Sequence, residues 1–248
     1  EFDLSSLRTG IMAGSPCPQE IMQRVIERMH MSEITICYGM TETAPVSAQS
    51  STEDSVEQRV STVGRVHPHL EVKIVDESGK VVPRGQLGEL CVRGYSVMLG
   101  YWEDQDKTQE VIDTARWMHT GDIAEMDDEG FVKIKGRIKD VVIRGGENLF
   151  PKEIEDFLYT HPAVSDVQVI GVPDHKYGEE LCACIILHEN DPCTEDVIRE
   201  YCAEHISHNK VPRYVRFFHE FPMTASGKAQ KFKLREFMRE ELNLKEIA

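Results

Sequence analysis

The seven residues Pro-Met-Thr-Ala-Ser-Gly-Lys at positions 222–228 place one cation on a loop of small residues near the C-terminus. The apolar pattern that follows predicts an amphipathic helix from about Gln230 to Leu242. Small residues let a loop backbone approach a ligand closely, and a lysine at the loop tip is a mobile point charge suited to a carboxylate and a phosphate. A solvated surface turn explains this heptapeptide equally well, so the residues upstream must decide.

Several short motifs precede the lysine loop in a fixed order. Tyr-Gly-Met-Thr-Glu-Thr at 38–43 follows a β-branched run, Trp-Met-His-Thr-Gly-Asp stands at 117–122, and Gly-Arg-Ile-Lys-Asp at 136–140 leads into Val-Val-Ile-Arg-Gly-Gly-Glu-Asn. Together they are far less expected by chance than any one alone. The chain resembles the adenylate-forming superfamily of acyl-CoA synthetases, peptide-synthetase adenylation domains and luciferases. Residues 224–236 are most similar to its mitochondrial medium-chain acyl-CoA synthetase branch.

Composition limits the possible classes of protein. The 248 residues, 40% of them hydrophobic and 29% charged, suffice for one large core or two modest ones. No stretch approaches the roughly 18 apolar residues of a membrane-spanning helix. The net charge of -15 argues against nucleic acid as the main partner, because phosphate backbones require clustered basic residues. The negative net charge does not exclude a nucleotide ligand, since a small anion needs only the local positive field of a few backbone N–H groups, a lysine or a metal ion.

The seven cysteines are scattered without regular spacing, as in proteins with reduced thiols. Cys182 and Cys184 lie two apart in an apolar run, so a strand would place both on one face. No second pair follows at a spacing typical of zinc ligands, and we therefore interpret both as core residues.

Three patterns of predicted elements follow one another along the chain. A helix should begin at Pro18, a strand should follow at Ile34, and residues 47–58 should form an exposed polar loop. From about Thr62, short strands and turns predict a small antiparallel sheet or barrel. After Asp140, mixed helices and strands predict an α+β domain, with Thr194 capping one of its helices.

We therefore predict an α/β and α+β protein with a domain boundary at Ile138-Lys139. By resemblance, residues 1–138 are the C-terminal part of the AMP-binding large domain, including a small β-barrel-like subdomain. Residues 139–248 are then the AMP-binding enzyme C-terminal domain.

Glu42 follows a strand and a glycine, so its carboxylate can project from a strand end, where α/β sheets bind ligands. Carboxylate oxygens suit Mg²⁺, whereas an isolated Thr-Glu would more simply be a solvated turn. The resemblance implies that Glu42 binds Mg²⁺ and that Thr41 contacts the α-phosphate. It also implies that Tyr38 and Gly39 line the adenine and acyl pockets.

Asp122 follows Thr120-Gly121, and a carboxylate can accept hydrogen bonds from both hydroxyls of a ribose. The resemblance assigns Asp122 and Arg137 to the ribose. We expect His119 and Trp117 to pack or to support their neighbours.

The start of the second domain contains two further candidates. Lys139 matches the hinge position of the family, where a few dihedrals absorb a domain rotation, although an ordinary charged linker would look the same. Gly145 and Gly146 permit a sharp turn or a narrow passage for a thin ligand. The resemblance implies that the phosphopantetheine arm of CoA passes along this loop, and turn formation alone is the competing explanation.

Lys228 is the expected catalytic cation. When a carboxylate attacks the α-phosphate of ATP, a cation that bridges both groups stabilises the transition state more than the ground state. Lys231 and Arg235, on the following helix, could be peripheral phosphate contacts or solvated charges, and we favour solvated charges.

One motif of the superfamily is missing, the phosphate loop that ends in Pro-Lys-Gly. Its backbone N–H groups normally cradle phosphate, so we expect this chain to be the C-terminal portion of a longer enzyme. The resemblance implies activation of a fatty acid, in the mitochondrial matrix, with Mg²⁺, ATP and CoA. The alternatives are a noncatalytic nucleotide- or CoA-binding fragment and an adenylating enzyme with another acceptor.

Overall fold

The computed structural model describes residues 2–14, 17–189, 191–225 and 227–244, so Ser226 of the lysine loop lies outside the described residues. The chain divides into two compact units, Glu1–Ile138 and Lys139–Ala248, which we call unit 1 and unit 2.

Unit 1 begins with a four-stranded sheet in the order β1-β2-β3-β4, in which the first two strands are parallel. Its elements are β1 (Thr9–Met12), α1 (Gln19–Arg28), β2 (Glu33–Tyr38), a 3-10 turn (Thr41–Thr43), β3 (Ala48–Gln49), α2 (Val56–Ser61) and β4 (Arg65–Val66). The apolar stripe of α1 packs Met22 against Ile34 and Ile36 of β2, as its helical spacing predicts. Pro18 is the N-cap residue of this helix and does not lie in its first turn.

The predicted exposed loop at 47–58 is wrong in part. Its first residues form β3 and pair with β2, and its last three begin α2. Ser47 and Ser50 are buried, and the Ser50 hydroxyl accepts a hydrogen bond from the Ile36 N–H at 3.0 Å. Ser50 misleads here because backbone groups of Ile36 satisfy its hydroxyl.

The second sheet of unit 1 is antiparallel, in the order β5-β6-β7-β8. Its strands are β5 (Leu70–Val75), β6 (Gly88–Gly94), β7 (Met118–Met126) and β8 (Val132–Arg137), with α3 (Gln105–Val111) between β6 and β7. Within the described residues, this sheet is open and does not close into a barrel. Residues alternate between buried and half-buried along the whole of β7, a strand that the sequence analysis did not predict.

Unit 2 is a five-stranded mixed sheet with helices, as the α+β prediction requires. Its elements are a 3-10 turn (Ile138–Asp140, which begins in unit 1), β9 (Val142–Arg144), β10 (Glu147–Leu149), α4 (Pro151–Leu158), β11 (Val164–Asp174), β12 (Gly178–Leu187), α5 (Glu195–His205), a 3-10 turn (His208–Lys210), β13 (Tyr214–Phe217) and α6 (Lys231–Glu241). Thr194 caps α5 as predicted, accepting from the Val197 N–H.

Both faces of the unit 2 sheet are buried, each against its own helices. Val167 and Val169 of β11 pack with α4 and α5, while Ile170 and Val172 pack with α6. Cys182 and Cys184 are fully buried in the second cluster, which confirms their assignment to the core. Among the described residues, the helices are all too short or too polar to cross a bilayer.

Candidate functional site

Asp122 lies in β7 directly opposite Arg137 of β8. Arg137 Nε is 3.3 Å from Asp122 Oδ1, and the Tyr38 hydroxyl donates to Oδ2 at 2.6 Å. Burial, followed by the charge of Asp122, raises the pKa of Tyr38 well above its usual value. A protonated phenol and a guanidinium therefore fix the orientation of this buried carboxylate.

The part of β7 that carries Asp122 is held in place by β6. Gly121 donates its backbone N–H to Glu89 Oε1 at 3.0 Å, and the Thr120 hydroxyl donates to the Leu90 carbonyl at 2.7 Å. The same hydroxyl accepts from the Asp122 N–H at 3.1 Å. Gly121 has φ of 70°, a left-handed conformation that glycine adopts without a steric penalty.

Tyr38 and Gly39 stand where β2 ends. A side-chain carbon added at Gly39 would lie 1.7 Å from the Pro45 carbonyl oxygen, so only glycine fits at this position. The Tyr38 hydroxyl is bound to Asp122, 84 residues later in the chain. The contact adds Tyr38 to the predicted ribose pair, whereas its place in an adenine or acyl pocket remains a prediction.

Glu42 lies in the 3-10 turn that follows. The Tyr101 hydroxyl donates to Glu42 Oε1 at 2.8 Å, and the Met98 N–H donates to the Glu42 carbonyl at 2.9 Å. Burial and the hydrogen bond to Glu42 raise the pKa of Tyr101 to about 12. Thr41 is exposed beside it. The turn thus holds an oriented carboxylate next to an exposed hydroxyl.

The lysine loop of unit 2 is closed by its own backbone. Met223 and Ala229 form an isolated antiparallel bridge, and the Thr224 N–H donates to the Lys228 carbonyl at 2.8 Å. The Lys228 N–H donates to the Thr224 hydroxyl at 3.0 Å, and Gly227 has φ of 78°. Lys228 is exposed, and in the described part of the chain its ammonium has no hydrogen-bond or ion-pair partner. The loop therefore presents a cation to solvent.

The expectation of solvated charges on α6 is wrong. Lys231 donates to Glu155 at 2.6 Å and to the Val169 carbonyl at 3.2 Å, and the Glu155 side chain is only 7% exposed. Arg235 donates to Asp140 at 2.8 Å. Both side chains fasten α6 to the rest of unit 2. A local sequence pattern cannot reveal these contacts, because the partner residues lie far away in the sequence.

Gly145 and Gly146 form the two-residue turn between β9 and β10, with φ of 60° and 87°. Two consecutive left-handed residues are typical of a tight hairpin turn, so turn formation accounts for both glycines. The Gly145 N–H also donates to the Tyr177 carbonyl at 2.8 Å. Passage of a CoA arm along this turn remains a prediction.

Lys139 is exposed in the 3-10 turn Ile138–Asp140, at the point where the chain passes from unit 1 to unit 2. Its role as a hinge remains a prediction.

Sequence reasoning missed Glu89 and Tyr101. Each binds a predicted site segment from a distant part of the chain, Glu89 at Gly121 and Tyr101 at Glu42. The available signals were weak, a charge within an apolar strand and an aromatic pair after Gly100.

The comparisons match both halves of the chain. The model for AMP-binding enzymes matches residues 1–102, and the model for the AMP-binding enzyme C-terminal domain matches residues 153–228. The chain is 56% identical over 244 residues to YngI of Bacillus subtilis (strain 168), covering 98% of this chain and 44% of that protein. It is 52% identical over 244 residues to the mitochondrial medium-chain acyl-CoA ligase ACSF2 of Bos taurus, covering 98% of this chain and 40% of that protein.

The fold also matches a solved structure, the amide bond synthetase McbA from Marinactinospora thermotolerans. The TM-score is 0.86 at 34% identity, over 95% of this chain and 47% of that one. The chain thus spans less than half the length of these relatives. Both family models, the relatives and the fold agree that the chain belongs to the adenylate-forming superfamily of AMP-binding enzymes.

Proposed function

We propose that this chain is part of an enzyme that joins a medium-chain fatty acid to CoA through an acyl-adenylate. The observation that carries the proposal is the buried Asp122 carboxylate, oriented by Tyr38 and Arg137. A fixed carboxylate suits the paired hydroxyls of a ribose, which both donate hydrogen bonds. The relatives named as acyl-CoA ligases support the choice of reaction.

In the first half-reaction, a carboxylate oxygen of the acid attacks the α-phosphorus of ATP. A new phosphorus–oxygen bond forms while the bond to pyrophosphate breaks, giving acyl-adenylate. Negative charge is concentrated on both reacting groups, and the exposed Lys228 on its loop would supply the cation that bridges them. A cation at that point lowers the barrier because it interacts most strongly with the transition state.

Glu42 fits the demands of Mg²⁺. Tyr101 occupies one of its carboxylate oxygens, and in the described residues no protein donor is bound to Oε2. Mg²⁺ typically takes one or two carboxylates, with phosphate oxygens and waters completing its shell. When bound, the ion would neutralise phosphate charge, with Thr41 as a neighbouring hydroxyl that contacts the α-phosphate.

In the second half-reaction, the thiol sulfur of CoA attacks the acyl carbonyl carbon. The bond to AMP breaks, AMP leaves, and the thiol proton passes to solvent. We assign the Gly145-Gly146 turn to the CoA arm and Lys139 to the hinge that exchanges the two half-reactions. Residues 1–138 and 139–248 then act as the large-domain portion and the C-terminal domain.

The ribose assignment can be tested with Asp122→Asn in a protein that has the full length of the relatives. The unchanged protein should prefer ATP to 2′,3′-dideoxy-ATP, and the variant should lose roughly 10–100-fold of that preference, as expected when a hydrogen bond to a charged group is lost. Asp106→Asn, at an exposed position on α3, is the matched control. Unaltered discrimination by Asp122→Asn would remove Asp122 from the ribose site.

The second candidate is an adenylating enzyme that transfers the acyl group to an acceptor other than CoA, and the likeness to the amide bond synthetase McbA favours it. Supplying preformed acyl-adenylate with either CoA or an amine distinguishes the two, since only one acceptor should consume it quickly.

The third possibility, a noncatalytic fragment, concerns the 248 residues alone. We expect them not to turn over by themselves, because the sequence contains no Pro-Lys-Gly phosphate loop.

We propose a mitochondrial matrix location; the name of the Bos taurus relative supports the mitochondrion only, and YngI is bacterial. Imaging of the tagged full-length protein in its source cells tests it.

A further inference from the structure

Three side chains with metal-binding atoms meet on one face of the second sheet of unit 1. Cys91 of β6 lies directly opposite His119 of β7, and Glu89 precedes Cys91 by two residues. One ligand atom from each residue lies within 4.8 Å of the others. The sequence-based interpretation of His119 as a packing or supporting residue does not account for a thiol, an imidazole and a carboxylate at one point.

The separation of two of the three ligand atoms matches that in a tetrahedral zinc site. Bond lengths of about 2.3 Å to sulfur and about 2.0–2.1 Å to nitrogen, at a tetrahedral angle, put the two ligand atoms about 3.5 Å apart. Cys91 Sγ and His119 Nδ1 are 3.6 Å apart. His119 Nδ1 and Glu89 Oε2 are 2.7 Å apart, a hydrogen-bond distance that must lengthen by about 0.6 Å to admit the ion.

The charges also favour a divalent cation. A thiolate at Cys91 and the Glu89 carboxylate together carry the two negative charges that neutralise Zn²⁺. A bound ion displaces the thiol proton to solvent, because a coordinating thiol is deprotonated.

The cluster is accessible from one side. Cys91 is completely buried, whereas the side chains of His119 and Glu89 are 31% and 20% exposed. The partial exposure of these two side chains provides a route for the ion.

We propose that Glu89, Cys91 and His119 form a binding site for Zn²⁺ or a cation of similar softness. This site and Glu42 should bind different ions, because sulfur and nitrogen ligands discriminate against Mg²⁺, which prefers oxygen ligands such as the Glu42 carboxylate. Glu89 also holds the Gly121 N–H through its other oxygen. An ion at this site is thus joined through one carboxylate to the part of β7 that carries Asp122.

Cobalt gives a direct test, because Co²⁺ bound to a thiolate absorbs in the near ultraviolet through charge transfer. The metal-free 248-residue chain should develop this band with one equivalent of Co²⁺. Zn²⁺ should abolish the band, and an excess of Mg²⁺ should leave it unchanged. The measurement uses neither ATP nor acid, so it does not depend on the proposed function.

Two variants and a control identify the ligands. Cys91→Ala should lose the band, and His119→Gln, which retains the thiol, should weaken Zn²⁺ binding by roughly a hundredfold or more, since even residues that only support metal ligands are worth 10–100-fold. Cys202→Ala removes a completely buried thiol from unit 2 and should bind as the unchanged chain does. Absence of the band in the unchanged chain, or Zn²⁺ affinity unaffected by either ligand variant, overturns the proposal.

Discussion

Replacing Lys228 by alanine should remove the first half-reaction while leaving the fold and the second half-reaction intact. The lysine is exposed, and its hydrogen bonds within the described residues are made by backbone atoms that alanine retains. The free energy of unfolding should therefore change by less than about 0.5 kcal/mol, as for surface substitutions generally. Any large loss of activity would then reflect a loss of catalysis and not a loss of folded protein.

The expected loss follows from what the ammonium contacts. In the described residues, no carboxylate of the chain is within ion-pair distance of it, so its charge is available to the reacting carboxylate and phosphate. Removing one preorganised donor to a developing charge costs about 2.7–4 kcal/mol, or about 10²–10³ in rate. Adenylation should fall by that factor.

The assay compares two routes to the thioester in a protein of full length. From ATP, acid and CoA, the Lys228→Ala variant should be slow; from preformed acyl-adenylate and CoA, it should be close to normal. Lys233→Ala removes another exposed lysine, on the adjoining helix, and should be normal by both routes. Equal loss by both routes, or normal adenylation, would refute the role assigned to Lys228.

Three further predictions concern the second unit. Lys139→Pro fixes φ and should reduce thioester formation far more than adenylation, with Lys139→Ala as the control; equal loss in both half-reactions argues against a hinge. Lys231→Met leaves the buried carboxylate of Glu155 without a counter-ion, with only the Val169 N–H still donating to it, and should lower the free energy of unfolding by roughly 3 kcal/mol in a urea titration, whereas an unchanged midpoint would mean that solvent already screens the pair. Burial lowers the pKa of His161, whose Nδ1 accepts from the Ala163 N–H. The unfolded state therefore takes up its proton first, and stability should decline as the pH falls below about 6.5; His161→Asn should make that decline shallower between about pH 7 and 5, and a parallel decline would exclude His161 as its source.

Short-range patterns predicted the elements more successfully than their contacts. The spacing of Met22 and its apolar neighbours located α1, and the apolar run around Cys182 and Cys184 located a buried strand. These features depend on periodicity, which a local window contains. The strand β7 escaped notice because Thr120-Gly121 resembles a turn, although it is accommodated within a nine-residue strand.

The candidate site shows the same limit. Motif order indicated Asp122 and Arg137, and the register of two adjacent strands does bring them together. Tyr38, in contrast, meets Asp122 only because two sheets of unit 1 approach each other, and Lys231 meets Glu155 across 76 residues. Such pairs depend on tertiary packing, and no property of either residue alone indicates its partner.

The ion pair between Arg235 and Asp140 has a mechanical consequence. Asp140 directly follows Lys139, and Arg235 lies on the helix that begins three residues after Lys228, so one contact joins positions 95 residues apart. The helix that follows the lysine loop is thereby fastened to the residue next to Lys139. If Lys139 is the hinge proposed above, a modest change in its dihedral angles would move the Lys228 ammonium without any internal rearrangement of unit 2.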